Sequence, residues 1–371
     1  MKTRVLGRTG VSVSTISFGT EYLINKPQEH VDQVLHAAIE RGINLFDVFY
    51  GQGYVREIYG KAFKGYRDRV MLTAHLGAVE RGRDSGISRE PQEARHFFEE
   101  YLRHFMTDYV DILYLHNVDT QEDYDKVMGP GGLADLAQEL RSHGKARFIG
   151  LSGHTVSTAR QAVESGLVDV LMFPVNIASN AIEGKRDLLE ACAVNNVAVI
   201  AMKPFAGGKL LQPETQKSLM GFQTGGADTE VQTDLPITAV KCLDYVLSRA
   251  GVATVVPGFA TVAEMDEGLG WYDASDDERD FSALLSSFAV YQTGECVYCN
   301  HCLPCPVGIT VGNVNRLGDL AAHNLTDALR EAYAALDLNA SDCIQCGTCE
   351  DACPFGVAVI DKMEQTAALY A

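Results

Sequence analysis

Through about residue 270 the chain alternates two hydrophobic rhythms. Short apolar runs rich in β-formers fall at 15–18, 43–47, 70–75, 109–116, 147–152, 169–174, 197–203 and 254–257. Between them, apolar positions recur at helical spacing over 30–41, 56–63, 93–105, 132–142, 158–164, 185–195, 237–248 and 263–268. Several of the short runs, such as Val110-Asp111-Ile112-Leu113-Tyr114-Leu115, are apolar on both faces. Strands buried on both sides belong to a parallel sheet covered by helices. Eight strand–helix repeats of this kind predict an α/β chain built on a (β/α)8 TIM barrel.

The polar run Asp-Ala-Ser-Asp-Asp-Glu-Arg-Asp at 273–280 breaks the rhythm. It divides the chain into a barrel over 1–272 and a smaller unit over 273–371. Helical patterns between 311 and 336 make that smaller unit mostly α-helical. A stretch rich in Gly, Thr and Gln at 212–235 follows the seventh strand, at the face where barrel active sites lie. It reads either as a lid or as a loop without a role.

Composition narrows the function classes. The chain has 371 residues, 46% hydrophobic and 22% charged, enough for a sizeable core. The net charge of −18 comes without any basic stripe, so nucleic acid is not an expected partner. The acidity fits solubility or docking to a basic partner surface. No apolar run approaches the roughly 20 residues of a membrane span. Residues 1–10 are polar and lack a signal-peptide core, so the expected location is cytoplasmic. Ten cysteines in a cytoplasmic chain point to metal or redox chemistry rather than disulfides.

Eight of those cysteines lie after residue 295 in two runs. Cys296, Cys299, Cys302 and Cys305 precede Pro306; Cys343, Cys346, Cys349 and Cys353 precede Pro354. The second run is the bacterial ferredoxin pattern C-x2-C-x2-C-x3-C-P, and the first shortens the last gap by one residue. Three closely spaced thiolates take three corners of one cubane, and the fourth, before the proline, ligates the other. Two [4Fe-4S] clusters follow, one on Cys296, Cys299, Cys302 and Cys353, the other on Cys343, Cys346, Cys349 and Cys305. Zinc prefers separated C-x2-C pairs or Cys/His mixtures, which these runs do not offer. His301 reads as a neighbour of the first run rather than a ligand. Cys192 and Cys242 fall in helical patterns and read as buried, inert thiols.

Several segments resemble the aldo/keto reductase family, in order, over about 270 residues. They are Leu6-Gly7-Arg8-Thr9-Gly10, Val13-Ser14, Phe18-Gly19-Thr20, Gly42-Ile43-Asn44-Leu45-Phe46-Asp47, Asp111-Ile112-Leu113-Tyr114-Leu115-His116 and Gly144-Lys145-Ala146-Arg147-Phe148-Ile149-Gly150-Leu151-Ser152. Ser152-Gly153-His154, Met172-Phe173-Pro174-Val175-Asn176 and Met202-Lys203-Pro204-Phe205-Ala206-Gly207-Gly208, with the cysteine tail, resemble the branch that carries a C-terminal iron–sulfur domain.

The resemblance implies a nicotinamide cofactor on a barrel without a Rossmann motif, and hydride transfer to a small carbonyl, or from a small hydroxyl, compound. In that family a tyrosine gives the proton, helped by an Asp–Lys pair and a histidine. Carried over, Asp47 and His116 take the aspartate and histidine positions. His75 stands where the lysine belongs. The usual tyrosine position holds Gln52; Tyr50 is preferred as the tyrosine, with Tyr54 as the alternative. Imidazole is a weaker cation than ammonium near neutral pH, so it would lower a tyrosine pKa less. His75 could itself be the acid or base.

For the cofactor, the resemblance implies Ser152 and Asn176 on the nicotinamide amide, Met202 beneath the ring, and Lys203 on phosphate or substrate. Gly258 and Glu264 fall in the adenosine-phosphate segment 257–267. A carboxylate at Glu264 repels a 2′-phosphate, which favours NADH over NADPH.

The resulting expectation is an oxygen-sensitive oxidoreductase that couples an NAD(P)H-dependent step to two clusters, with an external electron carrier as a further partner. A rival is a lyase, in which Asp47, His75 and His116 run elimination or isomerisation and the clusters are structural or regulatory. A third reading is a non-enzymatic electron carrier or redox sensor.

Overall fold

The computed structural model describes residues 1–82, 84–180, 182–212, 236–282, 284, 296, 302–323, 325, 327–353 and 356–371. Most of the expected lid stretch at 212–235, together with Cys299 and His301, lies outside the described residues.

Eight parallel strands form the barrel: β3 (Phe18–Gly19), β4 (Leu45–Asp47), β5 (Met71–Leu76), β8 (Val110–Leu115), β9 (Ala146–Ser152), β10 (Val170–Pro174), β11 (Ala198–Met202) and β12 (Val252–Val256). They pair in that order, and bridges Ile16–Val255 and Gly19–Gly258 join the last strand to the first. Two further strands, β1 (Thr3–Val5) and β2 (Ser12–Ser14), form an antiparallel hairpin whose Leu6 and Val13 join the core inside the barrel.

The strands are apolar on both faces because each face meets a different core. Ile112 and Tyr114 of β8 point inward with Leu45, Met71, Met172 and Ile200. Leu113 and Leu115 point outward into the layer shared with the helices. Tyr114 fits inside because Gly150 opposes it: a Cβ there would lie 2.4 Å from the tyrosine ring.

The helical layer is α1 (Gln28–Glu40), α2 (Gly53–Ala62), α3 (Pro91–His104), α4 (Gln121–Met128), α5 (Leu133–Ser142), α6 (Val156–Glu164), α7 (Lys185–Val194), α8 (Ala239–Leu247) and α9 (Val262–Leu269). Besides the N-terminal hairpin β1–β2, two elements exceed the sequence expectation. The hairpin β6 (Ala78–Arg81) with β7 (Asp84–Ile87) rises after β5, and α4 follows β8. The polar run holds a one-turn helix, α10 (Asp276–Arg279), closed by a Ser275–Glu278 capping box. Barrel packing continues beyond it, since Phe281 meets Tyr245 edge to face and Leu284 belongs to the barrel core.

The C-terminal unit contains α11 (Val311–His323), α12 (Asp327–Ala334), α13 (Thr348–Asp351) and α14 (Val359–Tyr370). Its small core gathers Ile309, Val314, Leu317, Val359 and Met363 around the cysteines. Tyr370 stacks on Tyr333 at 3.9 Å and donates its hydroxyl to the Leu317 carbonyl. Among the described residues no helix is long and apolar enough to cross a membrane.

Candidate active site

The carboxyl ends of the barrel strands open into a cavity of about 1210 Å³. Asp47, at the end of β4, and His75, on β5, are 6% exposed, and His116, just after β8, is 5% exposed. The Thr73 hydroxyl donates to Asp47 Oδ1 at 2.6 Å, and His75 Nε2 lies 3.0 Å from the same oxygen. His75 Nδ1 lies 3.0 Å from His116 Nδ1 and 3.4 Å from Ser152 Oγ. A carboxylate only accepts, so His75 Nε2 donates to Asp47. In a neutral His75 ring Nδ1 then accepts from His116 Nδ1–H, leaving Nε2 as the lone-pair nitrogen of His116. The three strand-end groups thus form one ordered chain, Asp47–His75–His116. Arg89 braces its outer end by donating to the backbone carbonyls of His116 and Asn117 at 2.7 Å each.

The tyrosine candidates differ. Tyr50 is 5% exposed and lines the cavity. Burial pushes its hydroxyl well above the ordinary value; Glu21, Tyr59, Tyr22 and Asp47 push the same way. Tyr54 is 43% exposed and donates to Asn25 Oδ1 at 3.1 Å. Gln52, at the family's tyrosine position, accepts from Ser85 Oγ of the unexpected hairpin at 3.0 Å.

Of the expected cofactor residues, Ser152, Met202, Lys203, Gly258 and Glu264 line the cavity. Asn176 is not in that lining. Its side-chain amide donates to the Lys203 carbonyl at 3.1 Å and accepts from Ser179 N at 2.9 Å, bracing the turn after β10. Lys203 itself holds a left-handed backbone, φ 56°. Gly258 admits the Tyr22 ring, which a Cβ would meet at 2.3 Å. Glu264 accepts from Ala260 N at 2.7 Å.

Three features of the mouth escaped the sequence reading. Glu21 lines it; burial pushes its carboxyl up, Lys203 pulls it down, Asp47 pushes it up and Arg316 pulls it down. His154 also lines it, held by Asp119, whose carboxylate accepts from His154 Nδ1 at 3.1 Å and from the backbone N–H of His154. The third is the C-terminal unit itself, which contributes Leu303, Thr310, Asn313 and Arg316 to the wall. An ion-pair clasp fastens it there. Asp319 of α11 meets Lys209, from the loop after β11, at 3.4 Å and Lys362 of α14 at 2.5 Å.

In the C-terminal unit, Cys305, Cys343, Cys346 and Cys349 line one small cavity. That is the set the crossed spacing assigns to one cubane, and four thiols around one space suit a cubane's ligands. Gln345 N donates to Cys343 Sγ at 3.4 Å. Cys296 is buried and accepts from Asn315 Nδ2 at 3.5 Å; Cys302 and Cys353 are half-buried. Among the described residues no three His, Cys, Asp or Glu side chains are grouped as ligands of a single metal ion. Cys192 and Cys242 are fully buried, and burial pushes both thiols up to about 12.

The molecule is thus a closed eight-stranded barrel with acid–base groups at its carboxyl mouth, joined to a helical unit whose cysteine spacing is that of iron–sulfur ligands. The chain belongs to the aldo/keto reductase family: the model for "Aldo/keto reductase family" matches residues 15–286, and that for "4Fe-4S dicluster domain" matches 292–357. It is 24% identical over 305 residues to the "Uncharacterized oxidoreductase YqkF" of Bacillus subtilis (strain 168), covering 77% of this chain and 96% of that one. It is 27% identical over 281 residues to the L-galactose dehydrogenase of Arabidopsis thaliana, covering 72% and 86%. The holo form of the aldo-keto reductase AKR11C1 from Bacillus halodurans shares the fold, with TM-score 0.64 and 22% identity over 79% of this chain and 97% of that one.

Proposed function

We propose that this chain is an iron–sulfur oxidoreductase in which a nicotinamide-dependent carbonyl/hydroxyl interconversion at the barrel mouth exchanges electrons with two [4Fe-4S] clusters. The observation that carries this reading is the shared cavity. It holds Asp47, His75 and His116, and its wall includes Leu303, which lies between the cluster cysteines Cys302 and Cys305. A bound nicotinamide would supply the hydride step, held by Ser152, Met202, Lys203 and Gly258. Glu264 places a carboxylate on the cavity wall, which favours NADH over NADPH.

The chain's own residues handle the proton. His116 Nε2 takes it from a small hydroxyl compound, or returns it to a carbonyl oxygen. His75 carries the resulting charge toward Asp47, which the Thr73 hydroxyl fixes in place. Tyr50, holding its own proton firmly, serves as a hydrogen-bond donor to the carbonyl oxygen. The reading puts the clusters in a reducing cytoplasm, which keeps the cysteine thiols available as ligands.

Fluorescence titration of anaerobically purified protein with NADH and NADPH, followed by turnover with small aldehydes and ketones, tests the barrel half. NADH binding with turnover is the expected result. Failure to bind either nucleotide with clusters intact favours the second reading, a lyase. The completed Asp47–His75–His116 chain supports that alternative, because it can move protons without the family lysine.

A further inference from the structure

Among the described cluster cysteines Cys296 is the most buried and Cys346 the most exposed, while Cys302, Cys305, Cys343, Cys349 and Cys353 are half-buried. Cys296 is 9% exposed, and the loop that holds Cys302 borders the barrel cavity through Leu303. The opposite holds on the far side. The loop from Cys343 to Cys349 bears Ile344, 60% exposed, and Cys346, also exposed. Ile344 is one of few large apolar side chains exposed among the described residues, yet it also lines the cavity shared by Cys305, Cys343, Cys346 and Cys349. It therefore stands between that cavity and solvent.

The loop is built to present it. Gln345 takes a left-handed backbone, φ 54°, and its side-chain amide ties it to Glu364 of α14 at 2.7 Å. The sequence around the loop is acidic: Asp342, Glu350 and Asp351 flank it, and Asp361 lies one turn before Glu364 on α14, the residue to which Gln345 is tied, against the single base Lys362, which is committed to Asp319.

We infer that the face centred on Ile344 is the docking surface for a one-electron carrier protein whose redox centre is rimmed by basic side chains. The inference rests on the iron–sulfur reading above and adds the route by which electrons pass to and from an external partner. Ile344 supplies an apolar contact over the shortest path to the Cys305/Cys343/Cys346/Cys349 site, and the carboxylate rim supplies orientation and on-rate. One electron leaves the reduced cluster, and the carrier's oxidised centre is reduced by one; no atom is transferred.

Ferric cytochrome c is a suitable probe, being a basic one-electron acceptor. Fully loaded protein is reduced with dithionite, freed of excess reductant and mixed anaerobically with the probe. Complex formation between the two oxidised proteins is measured separately by calorimetry at low salt. Chemical reduction bypasses the barrel, so this measurement succeeds or fails independently of the nicotinamide reading. The expected second-order rate falls steeply with salt, and drops roughly tenfold in Asp351→Lys/Asp361→Lys, with binding weakened in parallel. The single variant Ile344→Ser keeps the charge and slows transfer by a few-fold. Glu57→Lys/Glu122→Lys, two exposed barrel carboxylates, reverses as much charge and changes the rate less than about twofold. Equal iron and acid-labile sulfide in all variants makes the rates comparable. If the barrel variant slows transfer as much as the face variant, or if the face variants leave both rate and binding unchanged, the docking surface is elsewhere.

Discussion

The barrel mouth and the cysteine-rich unit are neighbours built on opposite principles. At the mouth, Asp47, His75 and His116 are fixed by strand pairing and by a chain of side-chain hydrogen bonds of 2.6 to 3.0 Å. That geometry rests on a large core. The C-terminal unit has only ten buried residues in its own core among those described, one of them Cys296. A core of that size supplies little stability, and metal–thiolate bonds are the usual remedy. On the proposed reading, catalytic order lies in the peptide and electron-carrying order in the clusters. The Lys209–Asp319–Lys362 clasp is where the two meet.

The sharpest way to break the comparison is to remove the metal. Anaerobic chelation should abolish protease protection of the C-terminal unit while barrel helicity and nucleotide binding persist. Global unfolding at the same chelator concentration would show that the barrel also depends on the clusters. The next largest effect is expected at the floor. Asp47→Asn and His116→Gln should each lower kcat by about 10²- to 10⁴-fold, with the nucleotide Kd nearly unchanged. A change confined to Kd would move these residues from proton transfer to binding.

Asp319→Asn probes the junction. It should keep iron content and nucleotide affinity, yet slow electron transfer between mouth and clusters by roughly tenfold, because a misplaced contact of about an ångström is costly. The remaining effect concerns stability alone. Lys185 is buried against Ser179, and burial lowers its ammonium from 10.5 to about 7. The unfolded chain then binds that proton more tightly than the folded one. Stability should rise as pH climbs from about 7 to about 10, by at most about 1.4 kcal/mol per pH unit. Lys185→Met should flatten that slope in thermal unfolding followed across the same range.

Much of the barrel was legible because several strands are apolar on both faces, as a doubly covered parallel sheet requires, for example Val110–Leu115. The helix Gln121–Met128 was not, since its polar sequence buries little beyond Val127. Nor was the hairpin Ala78–Arg81 with Asp84–Ile87, whose half-polar strands carry a weak period. Asp47, His75 and His116 could be named from strand ends, but the Nδ1–Nδ1 contact depends on ring orientations no sequence displays. Glu21 was invisible for a similar reason: its partners Lys203 and Arg316 come from β11's end and from the other unit. Cysteine spacing, by contrast, is local chemistry, and Cys305 shares its cavity with Cys343, Cys346 and Cys349.

The coupling of the two regions is tested most directly by mixing anaerobic, fully loaded protein with NADH and following the visible iron–sulfur absorbance. The account predicts bleaching that reverses on adding an oxidised one-electron acceptor and slows in Asp319→Asn. Absorbance that stays constant with saturating NADH, in protein whose clusters dithionite readily bleaches, would contradict it.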